Sequence, residues 1–186
     1  MSTLSTPIAS ARAERLTLLG VVGFAAALAA ASQVSIPVPG TPVPITLQPL
    51  VVVLAGLLLG PAAGAASMVL YLVAGALGLP VFSPIGAPGL ARFLGPTGGY
   101  LIAYPAAAFV TGALARRGPT LLGRWLAASA GVAVILFGGV AQLTILNASL
   151  GRAIAFGLTP FALLDLGKAF VAAAIAERLA AARTRG

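Results

Sequence analysis

The stretch PFALLDLGKAFVAAAIA, Pro160 to Ala176, decides the fold: it is the apolar run of a membrane-spanning helix, yet it carries Asp165 and Lys168 in its interior. Among the apolar segments of the chain, this one alone reads as holding charges away from its ends. A carboxylate or an ammonium at membrane depth costs about 2.5 to 3.5 kcal/mol on insertion scales, so each must face a partner, a ligand or water. Three residues apart, the two lie on one helix face. Two roles fit that spacing: a neutralising pair that lets the helix insert, and a polar site for a ligand.

The composition selects the class. The 186 residues are 60% hydrophobic and only 8% charged, which excludes a soluble enzyme and fits a single integral membrane domain of packed helices over residues 1–186. The net charge of +8 does not indicate nucleic acid, because the basic residues stand singly or in pairs at the ends of apolar runs, as helix ends and cytoplasmic loops are charged. With no cysteine and no histidine, thiol nucleophiles, disulfides, thiolate metal sites and histidine proton relays are all out of reach.

Six spanning helices are expected, at about 16–32, 46–59, 61–79, 99–115, 124–146 and 160–178. The first follows a polar stretch with Arg12, Glu14 and Arg15, and its alanines recur at spacing four, as in Ala25 and Ala29 or Ala26 and Ala30, a pattern that lets helix backbones approach closely in lipid. Gln33 to Pro49 holds prolines at 37, 39, 42, 44 and 49 and reads as an extended connection long enough to fold over a site, with Thr46 as the N-cap of the next helix. That second helix is short for a full span. Gly60-Pro61 turns the chain into the third helix, and Pro80 to Gly99, with four prolines and five glycines, reads as a loop too apolar to be solvated, a lid or re-entrant element. The fourth helix is stopped by Arg116, Arg117, Gly118 and Pro119, and Gly138-Gly139 marks the fifth as closely packed or bent.

Positive charge sets the orientation. With the N-terminus in the cytoplasm, Arg12, Arg15, Arg116, Arg117, Arg124, Arg178, Arg183 and Arg185 lie inside and only Arg92 and Arg152 outside. Both termini are then cytoplasmic, both unusual loops are external, and Asp165 and Lys168 lie about 8 to 12 Å below the outer end of a helix starting at Pro160. The buried charges, Arg92 and the two loops converge on one outward-facing site.

No G-x-x-x-x-G-K-[ST] motif occurs, so any ATP must be hydrolysed by a partner. No G-x-S-x-G, no H-E-x-x-H and no second buried carboxylate near Asp165 support a hydrolase. An enzyme survives only as an unusual intramembrane reaction, and six helices without a matching repeat do not resemble an inverted-repeat carrier.

Four blocks do resemble a known family: PVPITLQ at Pro42–Gln48, GALGLPVF at Gly75–Phe82, GPTGGY at Gly95–Tyr100 and PFALLDLGK at Pro160–Lys168. In this order, within a resemblance running from roughly residue 25 to residue 173, they resemble the signature blocks of the BioY family, the biotin-specific S components of energy-coupling-factor transporters. Leu163-Leu164 stand where that family's last block has Pro-Gly. The resemblance implies an all-α bundle of six transmembrane helices in the lipid bilayer of the cell membrane, with external ligand-covering loops. Its function would be to capture biotin from outside and, with a transmembrane coupling subunit and an ATPase pair, deliver it to the cytoplasm. It implies no enzymatic activity and no cofactor.

The expected ligand site comprises Asp165, Lys168, Arg92, Tyr100, Tyr104, Phe82 and Gln48, and the expected partner face is Ala26 and Ala30. Asp165 would accept from the ureido N–H groups and Lys168 donate to the ureido carbonyl. Tyr100, Tyr104 and Phe82 would wall the thiophane ring, and Arg92 would pair with the carboxylate. The other readings are an S component for a different vitamin, a small proton-coupled carrier and an intramembrane enzyme.

Overall fold

The computed structural model describes residues 7–118 and 120–183. Pro119 and Arg185 lie outside the described residues, as do the side chains of Arg12 and Arg183. Helices dominate: α1 (Pro7–Gln33), α2 (Gln48–Leu59), α3 (Pro61–Ala76), α4 (Gly98–Ala115), α5 (Leu121–Asn147), α6 (Leu150–Gly157) and α7 (Ala162–Arg183). A two-stranded antiparallel ribbon, β1 (Ser35–Ile36) and β2 (Ile45–Thr46), pairs Ser35 with Thr46 and Ile36 with Ile45, and a 3-10 turn runs over Gly89–Leu94.

Among the described residues, three helices are long and apolar enough to cross a membrane: α1 over 14–33, α4 and α5. The pair α6 and α7, bent by 48° at its break, passes together as a fourth, and α2 and α3 are apolar but shorter, at 12 and 16 residues. Six apolar units are therefore present, with several boundaries moved. The chain is helical from Pro7 rather than Leu16, since alanine, arginine, glutamate and leucine all favour helix and nothing breaks the run. Leu47, not Thr46, caps α2, while the Thr46 hydroxyl accepts from the Gln48 N–H at 3.3 Å from its place in β2. Thr120 caps α5, its side chain accepting from the Gly123 N–H, so that helix starts at Leu121 and draws Arg124 inside it. The last helix begins at Ala162, not Pro160, and the separate helix α6 precedes it, capped by Ser149.

Drawn into the first turn of α5, Arg124 forms an ion pair with Glu177 of α7, a charge pair near the ends of two helices that joins them.

The core is built of small and medium apolar side chains; Leu28, Val52, Met68, Ala108, Ile135 and Ala172 are all at most 1% exposed. Close packing of α4 on α5 depends on glycine: a Cβ on Gly99 would fall 2.1 Å from the Gly138 carbonyl oxygen, and one on Gly138 would fall 2.6 Å from the Gly99 oxygen. The Gly138-Gly139 pair is thus a packing point, and α5 runs through it unbroken. Outward-facing Leu77, Phe137, Ile145 and Leu163 are strongly exposed, as suits a surface whose solvent is hydrocarbon.

Contacts sort the connections into two ends. Gly60 lies against the Arg116 guanidinium and Arg124 reaches Glu177, which gathers the α2–α3 turn, the α4–α5 connection and the later part of α7 at one end. At the other end Thr41, at the ribbon tip, donates to the Phe156 carbonyl at 2.7 Å, and Gln142 donates to Phe93 O at 3.1 Å. The ribbon, the 3-10 turn, α6 and the start of α7 therefore share one end.

Candidate functional site

Asp165 sits in the first turn of α7, where a helix N-terminus favours an anion, and is 4% exposed. Because α7 starts at Ala162, Asp165 and Lys168 lie only about 4 to 9 Å along the helix from its start. The Lys168 ammonium donates to Asp165 Oδ1 at 2.7 Å and to the Thr46 carbonyl oxygen at 2.7 Å. One lysine therefore neutralises the carboxylate and ties α7 to the ribbon. Two residues beyond Thr46, at the start of α2, Gln48 is 5% exposed and its Nε2 donates to the Tyr71 hydroxyl at 2.8 Å. Its Oε1 accepts from the Thr46 hydroxyl at 3.3 Å.

An aromatic row continues from Tyr71. The Phe82 ring packs edge-on against Tyr71, with centroids 5.4 Å apart, and against Phe93 at 5.7 Å. A Cβ on Gly75 of α3 would land 2.2 Å from the Phe82 ring, so only glycine leaves room for that side chain. Arg92 follows: its guanidinium lies 5.9 Å from the Phe82 centroid and donates through two nitrogens to the Ser83 and Ile85 carbonyls. It is 4% exposed, which rules out a residue that merely keeps the loop wet. Burial pulls its pKa below the ordinary arginine value, from a starting point so high that the guanidinium stays charged. Its Nε is buried without a hydrogen-bond partner.

Tyr100 is held from two sides. Its hydroxyl donates to the Gly157 carbonyl of α6 at 2.7 Å, and a Cβ on Gly139 would fall 2.0 Å from its ring. Tyr104, one turn on, is 3% exposed.

All seven expected ligand-site residues line one cavity. The structure brings Asp165, Lys168, Gln48, Phe82, Arg92, Tyr100 and Tyr104 together from α2, α4, α7 and the 77–97 connection. Sequence reasoning missed Tyr71, Thr46 and Phe161, which also line it. The available signal for Tyr71 was a lone hydroxyl-bearing ring within an apolar helix; Thr46 lay inside an already quoted block. Ala26 and Ala30 are elsewhere, exposed on the outer face of α1. Only 22% of the apolar window of that helix is buried, against 50% for α4.

The contacts order the chemistry. An acceptor and a donor side by side, Asp165 and Lys168, stand at one pole with Gln48; Tyr71 and Phe82 follow; the Arg92 cation closes the series. Such a row suits a ligand with a planar head bearing both donors and acceptors, an apolar middle and an anionic tail. Among the described residues no group of three or more metal-ligating side chains is assembled.

The Tyr100 seat gives a direct prediction. Gly139→Val should force the ring out of place and lower stability by about 1 to 3 kcal/mol, the usual cost of overpacking a close-packed site. Thermal unfolding of the variant in detergent measures this, and an unchanged midpoint would mean that the ring is not held there.

A family model described as the BioY family matches residues 4–185. The chain is 40% identical over 168 residues to the probable biotin transporter BioY of Pyrococcus horikoshii, covering 90% of this chain and 97% of that one. It is 39% identical over 158 residues to the biotin transporter BioY of Thermotoga maritima, covering 84% of this chain and 90% of that one. Its structure resembles the crystal structure of the S-component for biotin from an ECF-type ABC transporter, with a TM-score of 0.84, 30% identity and 94% coverage of both chains.

Proposed function

We propose that this chain, which belongs to the BioY family, is the biotin-binding S component of an energy-coupling-factor importer, taking up biotin through the cavity between α2, α4, α7 and the 77–97 connection. The observation that carries this reading is the order of groups along the cavity. Biotin has a ureido ring with two N–H donors and one carbonyl, an apolar thiophane ring and a carboxylate tail. Asp165 accepts from ureido N–H, Lys168 donates to the ureido carbonyl, and Gln48 lies within reach beside them. Phe82, Tyr100 and Tyr104 wall the sulfur ring. Arg92 meets the carboxylate; two of its nitrogens are engaged by loop carbonyls, and the unpartnered Nε is a buried donor that calls for an acceptor.

The protein is multi-pass, and the positive-charge count supports cytoplasmic termini. The end that gathers Arg116, Arg117, Arg124 and Arg178 then faces the cytoplasm, and the cavity end faces outward. Transport needs ATP hydrolysis by partners, an ATPase pair joined through a transmembrane coupling subunit. α1 supplies the docking face: Ala26 and Ala30 are exposed, small and one turn apart on a helix that is mostly unburied.

Saturable binding of radiolabelled biotin to the purified chain, competed by unlabelled biotin but not by other vitamins in excess, is the expected result. Competition by a different vitamin alone would reassign the substrate. For the partner face, Ala26→Leu combined with Ala30→Leu should abolish co-purification with the coupling subunit and biotin uptake while leaving biotin binding within about twofold, because neither side chain touches the cavity. Assembly that survives the double substitution would place the interface elsewhere.

A further inference from the structure

The last turn of α1 reaches into the site from outside the cavity. Ser32, fully buried, places Oγ 2.6 Å from the Val81 carbonyl oxygen and 2.7 Å from the Ala29 carbonyl oxygen of its own helix, the two sharing its one proton, and Gln33 donates from Nε2 to the Phe82 carbonyl at 3.1 Å and to Ser32 Oγ at 2.9 Å. These bonds grip the middle of a short strap, residues 79–85, whose centre is Phe82, a cavity wall. The strap lies between Gly78 and Gly86, at φ +94° and +111°, positions where an L side chain is strained. A Cβ on Gly86 would also strike Arg92. A segment bounded by two such glycines and carrying one wall of the cavity can swing only when its pins release. It is also held by Arg92 and by the hydroxyl pair Ser83–Ser35 at 2.8 Å.

We infer that Ser32 and Gln33 are positioning residues that pin the Phe82 strap shut, and that they set how fast ligand enters and leaves rather than how tightly it is held. The inference rests on the biotin-binding reading of the cavity. Neither side chain lines the cavity, and both bonds form in the ligand-free protein. Their loss therefore raises the open fraction equally before and after binding, and association and dissociation accelerate together. A residue that touches the ligand behaves differently, changing mainly dissociation and hence Kd.

The exposed partner gives the cleaner variant. Gln33→Met keeps length and removes the donor, on a side chain that is exposed and not needed for packing. With Gln33's one direct hydrogen bond to the strap lost, association and dissociation rates for radiolabelled biotin should both rise, about 2- to 12-fold, with Kd within about twofold. Gln33→Lys retains a donor that reaches Phe82 O and should keep wild-type rates. In the ligand-free protein, hydrogen–deuterium exchange across residues 79–86 should accelerate in Gln33→Met but not in Gln33→Lys, and this measurement does not depend on which ligand the cavity takes. Unchanged exchange there, unchanged rates, or faster dissociation without faster association would each overturn the inference. A wild-type protein that fails to bind biotin, but shows the exchange difference, would instead remove the substrate assignment and keep the strap.

Discussion

Asp165→Asn should abolish measurable biotin binding. The carboxylate is 4% exposed and holds the Lys168 ammonium at 2.7 Å, within a helix of a chain built for a membrane. Removing it leaves Lys168 with the Thr46 carbonyl as its remaining described acceptor, and stranding one member of a buried pair costs about 3 to 5 kcal/mol. It also removes the acceptor for the ureido N–H groups. If only part of that cost falls on the ligand-bound state, about 3 kcal/mol is still a loss of more than a hundredfold in affinity. Equilibrium dialysis with radiolabelled biotin measures it, on protein shown to be monodisperse in detergent. Retention of affinity within tenfold would mean that Asp165 does not face the ligand.

Arg92→Ala should weaken binding by about 1 to 3 kcal/mol, roughly 5- to 150-fold in Kd, which is less than the aspartate change. Two losses combine. The ligand carboxylate loses a charge-assisted donor, and the Ser83 and Ile85 carbonyls lose the guanidinium that fixes the strap. Biotin methyl ester separates them, since it lacks the anion but fills the same space. Wild type should bind the ester more weakly than the acid, whereas Arg92→Ala should scarcely distinguish the two. Equal affinity of wild type for acid and ester would confine Arg92 to holding the strap.

The site was more legible in the sequence than the helix boundaries were, and for a physical reason. A charge inside an apolar run is costly wherever the run sits, so Asp165 and Lys168 announce a polar site without knowledge of their neighbours. Arg92 was readable as the one charge in an apolar loop, but its burial was not, because that follows from the loop folding back so that Ser83 and Ile85 present carbonyls to it. The pair Arg124–Glu177 was hidden for a similar reason: each residue stands near the end of its helix, and only the packing of α5 against α7 joins them. Helix α6 escaped because it is only eight residues long and holds Gly151 and Gly157, which read as breakers; Ser149 as its cap was a remaining clue. Tyr71 was passed over since an aromatic in an apolar helix is ordinarily packing, and its hydroxyl gains meaning only once Gln48 is seen beside it.

The buried ion pair either reads the ligand or merely neutralises itself. Binding of radiolabelled biotin to the double variant Asp165→Asn with Lys168→Met decides it, because that variant leaves neither charge stranded and should insert and fold as the wild type does. Saturable binding by wild type and none by the monodisperse double variant is the predicted result; near-wild-type affinity in the double variant would contradict it and leave the pair a structural device alone.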